Sequence, residues 1–119
     1  MQGGGMRLPS DDRPLPNFVF VTTFKGSISF DPLKRDKTLV ERGLDFLDAA
    51  TAFQSTHLEV EDTRRPYGET RFICYAMLRG RLIVIVYVPR GSTRDIISMR
   101  KANGRERARF AVLDESHRP

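Results

Sequence analysis

The sequence predicts an α+β domain: a short strand, two helices, a three-stranded antiparallel meander and a C-terminal helix. Three observations carry that prediction. Residues 32–53 contain two segments whose apolar positions recur at helical spacing, separated by Gly43. Residues 70–100 contain three apolar runs broken by Arg79-Gly80 and by Arg90-Gly91-Ser92-Thr93. The stretch after them returns to a helical pattern that places Phe110 and Leu113 inward.

Taken in order, residues 1–24 read as an N-terminal extension, flexible or partly docked. Gly3-Gly4-Gly5 and the prolines Pro9, Pro14 and Pro16 leave no apolar periodicity to bury. Within it, Phe18-Val19-Phe20-Val21 is open to two readings, an added strand or an apolar segment docked on the domain. The domain itself is expected over 25–113, with a frayed tail at 114–119. Ile28-Ser29-Phe30 alternates as a short strand. Asp31-Pro32 then supplies an N-cap followed by proline in the first turn, where its missing N–H costs nothing. A helix over Pro32–Arg42 follows, with Leu33, Val40 and Leu44 near one inward face and Gly43 as its left-handed C-terminal residue. Asp45 caps a second helix, in which Phe46, Ala49, Ala50 and Phe53 share a face. An acidic and then basic linker is expected from Glu59 to Tyr67. Thr70–Leu78 reads as a strand. Leu82–Val88 is apolar on both faces, the pattern of a central strand, and Pro89 should end it. Arg94–Arg100 is the third strand of the meander and Ala102–Leu113 the last helix.

Composition removes several function classes. A chain of 119 residues with 39% hydrophobic content and eight Phe builds one core. Its longest apolar run, Leu82–Val88, is seven residues, against the roughly 20 that a membrane-spanning helix needs. The N-terminus lacks the basic start and apolar stretch of a secretory signal, so a cytoplasmic location is expected. The single cysteine, Cys74, excludes an internal disulfide and a cysteine-based zinc module; mid-strand, it reads as a small buried hydrophobe. No phosphate-binding glycine loop or metal-ligand spacing is present, and no cofactor is expected. His57 and His117 have no Ser or Cys partner implied by spacing.

The charge is unevenly spread. Residues 79–109 hold nine basic residues against Asp95 and Glu106, a balance of +7 that leaves −2 for the rest of a chain at +5. Residues 41–62 hold six acidic residues against Arg42 alone, a balance of −5. Eight of the nine basic residues are arginine, whose planar fork suits bidentate contact with phosphate. An anionic partner of the C-terminal third is the expectation.

Period-two geometry puts Glu69 and Arg71 on one face, if the strand already begins at Glu69, and Arg94, Ile96, Ser98 and Arg100 on one face of another strand. Glu106 lies four residues before inward-facing Phe110, so its carboxylate should have an arginine partner, Arg71 or Arg100.

These residues stand in blocks that resemble a known family. ISFDPLKRDKTLVERGLDF, AATAF, YGETRF, RLIVIVYVPRG and DIISMRKANGRERARF follow one another with compatible gaps over roughly residues 28–113. In this the chain is similar to the BrnT-type toxins of bacterial type II toxin-antitoxin systems. The resemblance implies a RelE-like fold and a ribonuclease held inactive by a cognate antitoxin. It also implies that the antitoxin is a ribbon-helix-helix protein (BrnA-like), that two toxins and two antitoxins assemble, and that DNA is contacted only through the antitoxin. Glu69, Arg71, Ser98, Arg100, Lys101 and Glu106 stand as in the family's pattern. Three positions depart from it: Glu41-Arg42-Gly43 where Lys-His-Gly is usual, Thr38 where asparagine is common, and Phe110 where tyrosine is common.

The chemistry expected is metal-independent RNA cleavage, with the substrate's own 2′-hydroxyl as nucleophile. Glu69 is the candidate base, Arg71 and Arg100 the candidates for stabilising the phosphorane, and Glu106 the residue that orients an arginine. Arg42, Arg90, Ser98, Lys101, Arg105 and Arg107 are candidates for holding RNA. A catalytically weakened relative that binds antitoxin or RNA is the alternative, because Arg42 stays protonated and cannot replace an imidazole in proton transfer. A DNA-binding domain is a third reading, against which no helix-turn-helix spacing appears.

Overall fold

Alternating and doubly apolar strands assemble into one six-stranded sheet, ordered β1-β3-β4-β5-β6-β2. The computed structural model describes residues 18–114. The strands are β1 (Val19–Val21), β2 (Ser27–Phe30), β3 (His57–Glu61), β4 (Phe72–Leu78), β5 (Arg81–Arg90) and β6 (Thr93–Lys101). The helices are α1 (Pro32–Arg42), α2 (Ala49–Gln54), which a 3₁₀ turn at Phe46–Asp48 precedes, and α3 (Gly104–Arg109), which a 3₁₀ turn at Ala111–Leu113 follows. The expected antiparallel meander is β4-β5-β6. Its first hairpin turns at Arg79 (φ 50) and Gly80 (φ 77), the paired left-handed conformations of a type I′ turn.

The sheet is wider than the meander. The expected first strand is β2, which joins the free edge of β6 in parallel. Gly26 permits that join, because a Cβ there would collide with the Ser92 carbonyl oxygen. Beyond β4 lie β3 and then β1, both antiparallel. So the linker expected from Glu59 is still strand as far as Glu61, and of the two readings of Phe18–Val21 the strand is realised over Val19–Val21. Pro89 does not end β5, which continues to Arg90. Residues 1–17 of the expected extension and 115–119 of the expected tail lie outside the described residues.

One sheet face is closed. Phe46, Ala49, Ala52 and Phe53 pack on Cys74, Ala76, Ile83, Ile85, Tyr87, Ile96 and Met99. Full burial of one such aromatic is worth roughly 1.5–3 kcal/mol. Among the described residues the other face is covered only toward the β4-β5 hairpin, where Phe110, Leu113 and Ala102 meet Leu58, Leu82 and Val84. Phe18 joins them, its ring centroid 5.4 Å from that of Phe110.

Helix α1 corrects one expectation. Leu33 and Val40, read as inward, are 78% and 85% exposed, and only Leu44, beyond the helix, enters the core. The helix is held at its ends instead. Asp31 accepts the Leu33 N–H, and Gly43 (φ 69) returns its N–H to the Leu39 carbonyl. Arg35 forks onto Asp45 at 2.9 and 2.7 Å.

A bulge in β6 corrects another. Val86 pairs with Ser98 but Tyr87 pairs with Ile96, so Ile97 is an extra residue. Ile96 and Met99 therefore enter the same core although three residues apart. Arg94 and Ile96 face the closed side, while Ser98 and Arg100 face the open side. The four residues do not share a face, because one inserted residue inverts the alternation.

Candidate functional site

The open face holds most of the residues singled out in the sequence, gathered at two ends. At the first, β4 starts only at Phe72, so Glu69 and Arg71 are set by the turn at Gly68 (φ 79) rather than by strand geometry. Glu69 stands between two guanidiniums, 3.7 Å from Arg71 and 3.7 Å from Arg90. Arg90 also approaches Asp95 at 3.5 Å. The Arg71 guanidinium lies over the Tyr67 ring, 4.2 Å from its centroid. Its Nε is buried without a hydrogen-bond partner, a donor set beside the carboxylate. Tyr67 in turn donates to Asp62 at 2.9 Å. Asp62 also takes Arg64 through two nitrogens at 2.7 and 2.8 Å, and these hydrogen bonds hold its carboxyl well below the usual range.

At the second end Arg100 forks onto Glu106 with two bonds of 2.8 Å. Of the two partners that the sequence allowed for Glu106, this is the one formed. The same carboxylate accepts the Asn103 N–H, and the Asn103 side chain accepts the Glu106 N–H, a capping box that starts α3. The Arg100 hydrogen bonds lower the Glu106 pKa. Tyr75 is half-buried, its ring stacked on Phe110 at 4.1 Å, and burial raises its pKa, with Glu106 adding to the effect. Lys101 and Arg107 lie beside this pair and are exposed, as is Arg105 on the same helix. Arg107 donates to the Ala102 carbonyl at 3.2 Å. Ser98 sits between the ends, level with Val86.

The two ends are distinct. By extension of the β4-β5 register Arg71 is level with Val88, whereas Arg100 is level with Val84. Four residues of β5 put them roughly 13 Å apart along the strand. So Arg90, rather than Arg100, accompanies Glu69 and Arg71. Arg42 belongs to neither end: its guanidinium donates to the Met99 carbonyl at 2.7 Å, at the edge of β6 that β2 leaves uncovered.

A third cluster, on the closed face, was absent from the sequence reading. Glu59 is 8% exposed and His57 fully buried. The Glu59 carboxylate meets Tyr87 Oη at 2.6 Å, Arg94 Nη1 at 2.8 Å and His57 Nε2 at 2.9 Å. His57 Nδ1 meets the Ser55 carbonyl at 2.8 Å. The Arg94 guanidinium lies 4.4–4.5 Å from the ring centroids of Phe24, Phe53 and Tyr87. Burial alone would raise the Glu59 carboxyl; the bonds from His57 and Tyr87 and the Arg94 charge outweigh it and hold the pKa below its ordinary value. Burial pushes the neighbouring Cys74 thiol well up. His57, Glu59 and Cys74 offer ligand atoms within 4.8 Å of one another. Arg94 already neutralises that carboxylate, and a cation there would face the guanidinium, so the cluster reads as a structural knot.

No helix among the described residues is long and apolar enough to cross a membrane. A search of curated proteins finds no match to the chain. A family model does match: "Ribonuclease toxin, BrnT, of type II toxin-antitoxin system", over residues 30–106. The matched stretch runs from the end of β2 into α3 and includes Glu69, Arg71, Arg90, Arg100 and Glu106. The chain therefore belongs to the BrnT family of ribonuclease toxins of type II toxin-antitoxin systems.

Proposed function

We propose that the chain is a metal-independent endoribonuclease with a RelE-like fold, acting in the cytoplasm, and that the open face of its sheet is where RNA is cut. The observation that carries this reading is the Glu69 carboxylate between the Arg71 and Arg90 guanidiniums. Glu69 takes the proton of the RNA 2′-hydroxyl, whose oxygen attacks the adjacent phosphorus. Arg71 and Arg90 stabilise the charge that develops on the phosphorane, and the 5′-oxygen leaves as a hydroxyl, taking its proton from water, as the 2′,3′-cyclic phosphate closes. Arg100, fixed by Glu106, holds the backbone at the other end of the groove, with Ser98 between them and Lys101, Arg105 and Arg107 at its rim. The antitoxin is a ribbon-helix-helix protein whose acidic segment covers this same basic face in a two-toxin, two-antitoxin complex, so that inhibition is competition with RNA. DNA is reached only through that partner.

The test is incubation of the purified chain with RNA in excess EDTA. Cleavage yielding 2′,3′-cyclic phosphate ends is expected. A substrate with a single 2′-deoxy residue at the cut site should stay intact, and Glu69→Gln should slow cleavage by about 10²–10⁴. Cleavage only after a divalent metal is added overturns the mechanism. A second reading, a weakened relative that binds RNA without cutting it, rests on Arg42 standing where relatives carry histidine. It predicts bound but intact RNA in the same assay.

A further inference from the structure

The open face ends in a feature that the cleavage chemistry does not use. Between the β4-β5 hairpin and α3 lies a cavity of about 580 Å³, within the roughly 300–1,000 Å³ range of small-ligand sites. Its floor is apolar, made by Met77, Leu82 and Phe110, and its rim carries three cations, Arg81, Lys101 and Arg107, with Asp114 as the one acid. The cations come from three elements: Arg107 lies in the last turn of α3, while Arg81 opens β5 and Lys101 ends β6, level with Leu78 and Ile83. A solvated charged surface needs no apolar hollow beneath it, and a core defect would not be ringed by cations. The hollow is also adjacent to the groove, because Lys101 follows Arg100 and Arg107 follows Glu106.

We propose that this cavity is a nucleotide subsite: it seats one RNA base on Met77, Leu82 and Phe110 and holds the attached phosphate with Arg81, Lys101 and Arg107. The inference rests on the reading of the open face as an RNA groove and deepens it. A strand that passes Glu69 and then the Arg100-Glu106 pair reaches the cavity next, so its occupant is a nucleotide on one side of the scissile bond. An apolar floor favours a base that stacks or packs over bulk solvent, while the cationic rim supplies the sequence-independent part of the affinity. The subsite is thus where base preference would enter, since the Glu69 end contacts only the phosphate and ribose.

The experiment is a titration of the isotope-labelled full chain with adenosine and uridine 5′-monophosphates, read by amide chemical shifts, which does not depend on cleavage. Saturable shifts at Leu82, Ala102 and Ala111 are expected, larger for one base than for the other. Arg81→Ala and Lys101→Ala, both at exposed positions, should each weaken binding by about tenfold, or 1.4 kcal/mol. Ala111→Trp should close the cavity and abolish the shifts while the far-ultraviolet spectrum stays native. In an RNA that is cut, Arg81→Ala should raise KM more than it lowers kcat. Absence of shifts at millimolar nucleotide, or identical shifts with inorganic phosphate alone, overturns the proposal. So does a result in which these variants leave RNA binding intact but weaken a co-expressed antitoxin, because the cavity is then a protein dock. A chain that binds the nucleotide here yet never cuts RNA keeps the subsite and overturns the ribonuclease reading instead.

Discussion

Arg94 and Arg100 lie on the same strand and each meets a glutamate at 2.8 Å, but they point to opposite faces of the sheet. The Arg94 side chain is 14% exposed and sits among Phe24, Phe53 and Tyr87. The Arg100 side chain is 44% exposed, above a half-covered groove. The contact is the same and its setting differs. In the closed face both charges have left water, and each depends on the other to remain there. In the open face Arg100 remains partly hydrated while Glu106 is only 15% exposed, and the exposed half of the pair limits what it contributes to the fold. Which setting a guanidinium of β6 takes depends on the side of the sheet it occupies, and that is decided by one bulged residue, Ile97.

The largest expected effect breaks the comparison at its closed side. Arg94→Ala leaves the Glu59 carboxylate buried without its cation and should destabilise the fold by about 3–5 kcal/mol. Arg100→Ala should cost no more than about 1 kcal/mol of stability and yet raise the KM for RNA cleavage by about tenfold. Urea denaturation of both variants beside a cleavage assay separates the two roles. Equal stability losses would mean that the two faces are not energetically distinct.

The next effect concerns the edge that carries Arg94. Gly26→Ala places a methyl against the Ser92 carbonyl and should weaken the attachment of β2 to β6 at a cost of about 1–3 kcal/mol. Amide exchange should show Ser27–Phe30 opening first. Protection unchanged from the parent would mean that the backbone yields without cost.

Much of the fold was legible because its signals are local. Asp31-Pro32, Gly43, Asp45 and Arg79-Gly80 each act within a turn, and each does what its side chain dictates. The central strand was legible because Leu82–Val88 needs cover on both faces. What escaped depends on distant partners. His57 and Glu59 alternate with Leu58 and Val60, so the strand looked like a charged linker; only Tyr87 and Arg94, far along the chain, make their burial tolerable. The alternation Arg94, Ile96, Ser98, Arg100 looked regular because a bulge leaves no mark in a short pattern. Leu33 and Val40 suggested an inward stripe on α1, but the capped ends and the Arg35-Asp45 pair hold the helix without it. For the candidate site, the grouping was not readable, since Arg90 reaches Glu69 only because the turns at Gly68 and Gly91 lie at the same end of the groove.

Acid should sharpen the contrast by a smaller amount. Glu59 and Glu106 both titrate below their ordinary value of about 4.5. A depressed carboxyl contributes stability that is present above the unfolded-state pKa and lost as pH falls through the folded one. Stability should therefore be level from pH 7 to about 5 and decline below about 4.5. Glu106→Gln should remove the part of that decline that belongs to the Arg100-Glu106 pair, leaving the remainder to Glu59, Asp62 and Asp45. Midpoint denaturant concentrations across pH 3–7 measure it, and an unchanged slope would show that the Arg100-Glu106 pair is not linked to folding.

The smallest effect is expected on α1, which lies on the closed side of the sheet yet buries none of its residues. Apolar side chains that stay in water in the folded state lose nothing when they become polar, so Val40→Ser should change stability by no more than about 0.5 kcal/mol. Leu44→Ser, four residues on and buried, should cost several times more, because its transfer from water is reversed and a cavity remains. If Val40→Ser instead approached Leu44→Ser in thermal unfolding, α1 would belong to the core and the closed face would extend to its outer surface. If the two variants differ as expected, the boundary of that face runs between Val40 and Leu44, at the left-handed turn of Gly43, where the chain leaves the outlying helix and enters the core.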